Sequence, residues 1–306
     1  MKTISSFIVF FFIGNFLFAQ EKDSLFEKRI TAFTWMPNGM FIILNVVKID
    51  KTEKTPPGLK KFIFDIKSET IALLPIDGGG LAVSPDGNLV AYIKRVIDKD
   101  QIYLYNFSTK KDILLVGDTL RKYAVNWSPD SKNLIYNIQT GRGAKAKVEI
   151  CTYNIPTKTI KQITENSGFK RYSPTWNTSN EKVVYTSEKG DKRDQIYLTD
   201  KNGSFHTNLT NDTMTHNFSP FWLNKKTIIY NQSPDNLMTM RIDGSHKQRV
   251  EGISTTQFKY NAAIKKIVYL DAEANLLLFD MKSKIKKELV NASQLNVLFN
   301  DTYFDQ

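Results

Sequence analysis

"WSPDSKNLIY", Trp127 to Tyr136, has near copies in "VSPDGNLVAY" from Val83 to Tyr92 and "WNTSNEKVVY" from Trp176 to Tyr185. Used as a template along the 306-residue chain, the stretch recurs six times. Its anchor aromatic falls at Trp35, Trp127, Trp176 and Trp222, with Val83 and Tyr260 in the same place in the other two copies. The spacings are 48, 44, 49, 46 and 38 residues, a mean of 45. Nine residues after the anchor, eight in the fifth copy, stand Leu44, Tyr92, Tyr136, Tyr185, Tyr230 and Tyr269. A third column, Asp65, Asn106, Asn154, Asp200, Asp243 and Asp280, ends or follows a later apolar run.

Within each copy the periodicity is that of strands. "NLVAYI", "QIYLYN", "KVVYTS" and "QIYLTD" are short, β-branched and aromatic, and turn residues separate them. Ser84-Pro85-Asp86-Gly87 combines a preset proline φ, a carboxylate that bonds local backbone and a glycine free to turn left-handed. Each copy holds about four such strands. One four-stranded sheet cannot bury both faces, whereas sheets stacked around an axis cover one another and a closed ring leaves no exposed end. The pattern therefore predicts an all-β fold, a six-bladed β-propeller with four antiparallel strands per blade, over residues 29–290. The anchor tryptophans are expected to pack between blades. The tail "LNVLF", Leu295 to Phe299, alternates and is expected to pair as a strand with a blade edge; a seventh, partial blade made with residues 21–28 is the rival reading.

The chain opens with Lys2 and an apolar run from Ile4 to Ala19, which reads as a secretory signal peptide over residues 1–19. An uncleaved anchor is the alternative, though Gly14 and Asn15 interrupt the run. Residues 20–306 then form a single propeller domain, exported to the periplasm or secreted, with no cysteine near the cleavage point for lipid attachment. Cys151, the one cysteine, rules out an intrachain disulfide and reads as a small buried hydrophobe. A net charge of +11 favours anionic partners, an acidic protein surface or an anionic polysaccharide, and export argues against nucleic acid.

"WSPDS", "VSPDG" and "SPTW", with "IYLYN", "IYLTD" and "TMRIDGSHKQRV" downstream, resemble the repeats of TolB-type, WD-like propellers over essentially the whole mature chain. The resemblance implies the fold and little more, because such rings serve as scaffolds, envelope components and side domains of peptidases. TolB itself carries an α/β domain before its propeller, for which the first repeat, near Arg29, leaves no room. The peptidases carry a hydrolase domain, and no Gly-x-Ser-x-Gly elbow occurs in this chain.

No catalytic constellation stands out. His206 and His246 sit in matching turns before the last strands of their copies, where small polar residues suffice. Asp86 and Asp130 read as turn caps rather than calcium ligands, and "DGGG" at Asp77–Gly80 lacks the Lys-Ser/Thr of a phosphate loop. No cofactor and no metal are expected. The second-to-third strand links of the first three copies carry 11 basic and 4 acidic residues, so one face should be polarised. The residues four to six before each anchor lead into the innermost strand. Arg29, Arg121, Lys122, Lys170 and Arg171 are expected there at the channel mouth, against Asp77 alone, with Tyr123, Tyr172 and His216 among them. These features predict a non-enzymatic, monomeric binding or scaffold module of the envelope, with room for peripheral membrane association, that takes an acidic ligand or peptide at the mouth. The alternative is an enzyme acting on acidic polysaccharide, or its binding subunit, using His216.

Overall fold

The computed structural model describes residues 25–164, 169–188 and 193–304; the signal peptide expected over residues 1–19 lies outside them. The described chain is six four-stranded antiparallel sheets, each built from four strands consecutive in sequence. The first strands are Phe26–Trp35, Gly79–Val83, Arg121–Trp127, Arg171–Trp176, Asn217–Trp222 and Phe258–Asn261, and residues of all six line one central cavity. They are the inner strands of a six-bladed propeller, as the repeat count predicts.

The repeated residues do the local work expected of them. In the turn after the second anchor, Ser84 N–H donates to Leu89 O, Leu89 N–H donates back to Ser84 Oγ, and Asn88 N–H is capped by Asp86 Oδ1. The turn after Trp127 repeats this set through Ser128, Asp130, Lys132 and Asn133. The third column ends strands and caps the next turn: Asp65 Oδ1 accepts from the amides of Lys67 and Ser68, and Asp280 Oδ1 from those of Lys282 and Ser283. In the glycine run, a Cβ on Gly78 would collide with the Ile93 carbonyl and the Tyr92 ring, and Gly80 has φ +60°. Close approach of the neighbouring strand and a left-handed residue account for those glycines.

Burial explains the aromatic columns. Tyr92, Tyr136, Tyr185, Tyr230 and Tyr269 are all at most 2% exposed and pack between sheets. Core clusters straddle neighbours: Ile135, Ile150 and Ile163 of blade three meet Val183 and Tyr185 of blade four. The anchor tryptophans also stitch blades together by hydrogen bonds. Trp127 Nε1 donates to Ala82 O of blade two (2.9 Å), Trp222 Nε1 to Thr175 O of blade four (3.1 Å), and Trp35 Nε1 to Lys259 O of blade six (3.0 Å). Trp176 Nε1 is buried without a partner. Trp127→Phe should therefore cost about 1 kcal/mol more than Trp176→Phe in urea denaturation, since only the first loses a bond and orphans a carbonyl. Equal costs would show that the indole N–H groups add nothing to blade stacking.

The tail departs from expectation. Residues Ala292–Leu298 form a helix, α1, not a strand. Asn291 caps it in a reciprocal box with Gln294, and Leu295 and Phe299, one turn apart, are the residues it buries. Those two pack in one cluster with Phe62 and Phe64 of blade one and Leu276, Leu289 and Val290 of blade six. The Phe62 and Phe299 rings lie 4.7 Å apart, and Asp301 pairs with Lys28 (2.9 Å) and Lys48 (3.3 Å). The ring thus closes between blades six and one by a helical clasp, and among the described residues no strand is exchanged.

Candidate functional site at the channel mouth

Inner strands do not run as simple ladders. Gly80, Ala124, Ser173 and Ser219, each three residues before its anchor, have φ between +49° and +60°. At each, the pairing with the second strand slips, so that two inner-strand residues oppose one tyrosine or its neighbour. For Ala124, Ser173 and Ser219 the left-handed backbone costs about 1–2 kcal/mol each. Such strain persists where surrounding structure imposes it, and here it rings the channel.

Above the bulge, side chains alternate, and this sorts the residues expected at the mouth. Arg121 is exposed, and Tyr123 and Tyr172 are half-buried. The residues between them turn inward. Lys122 is fully buried, its Nζ donating to Asp100 O and Leu120 O (both 3.0 Å) and pairing with Asp118. Arg171 is buried against Glu149, with Nη1 to Oε2 at 2.5 Å, and Thr164 Oγ1 donates to the same carboxylate oxygen. Burial pushes the Glu149 carboxyl up, against the pull of Thr164 and Arg171. Neither cation can meet a docked ligand without leaving these partners. Their positive charge serves blade packing.

The structure does bring Tyr123, Lys170 and Tyr172 together. They line a cleft of about 510 Å³ between blades three and four, floored by Ala124, Val148 and Ser173. Tyr123 Oη donates to Gln139 Oε1; burial pushes the Tyr172 phenol up to about 12, so it stays a donor. Lys170 lies 3.5 Å from Glu188, and Arg29, at blade one, is tied to Glu27 on the exposed surface. His216 Nδ1 faces Asp194, 3.4 Å away, and burial raises that carboxyl while the histidine lowers it. The polarised links are partly strand: Lys61, counted among them, is buried, and Ile97–Asp98 is a two-residue turn between long hairpin arms.

One residue escaped the sequence reading. Lys259 lines the central cavity, directly before its anchor, in a column otherwise made of Thr34, Ala82, Asn126, Thr175 and Phe221. It is the only charge in that column, a signal visible once the copies are aligned. His206 and His246 remain in exposed turns; His206 Nδ1 bonds Tyr185 Oη at 2.9 Å. Cys151 is buried, its thiol pushed up to about 12 by burial, which leaves it unreactive. Among the described residues, no group of three His, Cys, Asp or Glu is placed to hold a metal.

The TolB beta propeller domain matches residues 68–297. No curated protein matches. Among solved structures, TolB from Acinetobacter baumannii is similar at 18% identity and TM-score 0.59, over 75% of this chain; the match spans only 55% of that protein's length. The putative TolB from Agrobacterium tumefaciens matches at 20% identity and TM-score 0.55, covering 74% of this chain and 81% of that one. An oligogalacturonate lyase in complex with manganese matches at 14% identity and TM-score 0.63, over 87% and 78%. At these identities the likeness is one of fold.

Proposed function

The chain belongs to the TolB β-propeller domain family, and from that premise we propose that it is a non-enzymatic, exported binding module of the cell envelope that docks an acidic protein segment at its channel mouth. The observation that carries this reading is the cleft of Tyr123, Lys170 and Tyr172 beside exposed Arg121, opening on a channel whose lining, among the described residues, holds no carboxylate. Half-buried tyrosines and a cation at the rim of a concavity are the residue types that binding surfaces favour. Rim charges act through steering and register more than through raw affinity, so binding should weaken as salt rises. In this reading the ring acts as a monomer with a peripheral place at the membrane.

The test is a pull-down from envelope extract with wild type and an Arg121→Glu/Lys170→Glu variant, both of whose sites leave buried pairs untouched. A stoichiometric partner should bind wild type and be weakened about tenfold or more in the variant at low salt. Equal capture by both, with the same salt dependence, would place the site elsewhere.

A second reading is an enzyme acting on acidic glycan, favoured by the likeness to oligogalacturonate lyase and by the His216–Asp194 pair near the mouth. Turnover of oligogalacturonate that disappears in His216→Ala would replace the binding reading with this one.

A further inference from the structure

We propose that the central channel is a receptor for a single carboxylate, held at Lys259 Nζ and presented by a peptide entering from the mouth. The mouth reading supplies only the direction of entry; the receptor itself rests on separate residues.

The cavity enclosed by the inner strands measures about 230 Å³, and its wall is small, polar or aromatic: Asn45, Asn126, Ser173, Thr175, Ser219 and Phe221 are typical. Among the described residues, Lys259 is the one ionisable side chain lining it. No carboxylate lies within ion-pair distance of its Nζ in the described structure; its neighbour is the face of Phe221, 4.8 Å from the ring centroid. Lysines drawn away from water are normally paired, because an uncompensated charge is costly to hold there. Lys122 and Lys28 of this same protein obey that rule, with Asp118 and Asp301, and buried Lys61, though not in a close ion pair, still has the charge of Asp77 acting on it. Lys259 has only the ring.

Among the described residues, nothing ionisable faces Lys259 from the other blades either. At its level stand Thr34, Ala82, Asn126, Thr175 and Phe221, one from each remaining inner strand. Burial alone holds its amine down to about 8, with no negative group drawing it back up. At neutral pH it is still mostly a cation, partly open to the lumen and lacking a counter-charge. An entering carboxylate would supply both the counter-charge and a hydrogen-bond acceptor. One ammonium matches one carboxylate, whereas a phosphate dianion would leave excess charge in the lumen. The volume suits an acidic side chain or a chain end, since about 30 Å³ is one water's share of liquid.

The test uses the full chain and three N-acetylated tripeptides: one amidated with a central aspartate, one with a free terminal carboxylate and no acidic side chain, and one amidated with a central asparagine. Acetylation of Lys259 by acetic anhydride is followed by mass spectrometry, with exposed Lys110 and Lys158 as internal references. At least one carboxylate peptide, at millimolar concentration, should slow Lys259 labelling about tenfold and leave the references unchanged. The asparagine peptide should do nothing. Which of the two acids protects identifies side chain or chain end as the source. Protection should fade as pH rises through about 8, where the amine loses its proton. Lys259→Met should lose peptide binding and Lys259→Arg should retain it. A Lys259 that labels at an unchanged rate with both acids, or that never labels, overturns the receptor. Protection that survives Arg121→Glu/Lys170→Glu supports the receptor even where the mouth reading fails, so the two stand or fall separately.

Discussion

Arg171→Met should lower stability by about 3–5 kcal/mol, although Arg171 belongs to a segment that reads as a ligand-binding rim. The substitution leaves Glu149 buried with Thr164 as its remaining donor, and Glu149 Oε1 already has no hydrogen-bond partner. Its pH dependence identifies the cause. Burial raises the folded-state pKa of Glu149 above its ordinary value, and removing the arginine raises it further. The folded variant then holds a proton that the unfolded chain has released, so its deficit is largest at neutral pH and shrinks as pH falls toward the carboxylate range. Urea titrations of wild type and variant between about pH 5 and 8 read this directly. Arg121→Glu, at an exposed position whose side chain points away from the buried Lys122 beside it, should change stability by no more than about 0.5 kcal/mol. A deficit for Arg171→Met that is small or independent of pH would mean that Glu149 is hydrated and the pair is ornamental.

Phe299→Ala should cost a similar amount, about 3–5 kcal/mol. The ring is completely buried, 4.7 Å from Phe62, in the cluster that joins blades six and one. Cavity formation there also frees α1, whose seven residues are too few to hold a helix without packing. Hydrogen exchange should therefore speed up at the inner strand of blade one and in blade six before it does in blades three and four. Uniform acceleration around the ring would contradict a local clasp, and a loss under about 1 kcal/mol would show that the blades close without it.

The ring was legible because its signal is redundant: three residue columns repeat six times, and each has a mechanical duty. Three of the four anchor indoles bond the preceding blade, tyrosines fill the gaps between sheets, and Asp or Asn caps turns. The tail reads as a strand but folds as a helix because "LNVLF" fits two periods. Leu295 and Phe299 are four apart, which suits one face of a helix, and "NASQ" before them is a capping box. At the mouth, counting charges in three-residue windows hid the period of two, which sends Lys122 and Arg171 into the interior while their neighbours face out. Lys259 lies three residues past the last window, on a blade-six strand that pairs without a slip, so a count confined to the windows could not reach it.

Because each described sheet is made of consecutive chain and the seam is held by Leu295 and Phe299, which follow all six sheets, synthesis and closure are separated in time. A nascent chain can complete blade after blade about every 45 residues, the mean repeat spacing, as each emerges. The face of blade one that meets the clasp, with Phe62 and Phe64, must wait uncovered until Leu295 and Phe299 arrive. That exposed face is where a chaperone would be needed and where a chain stopped before Leu295 would aggregate.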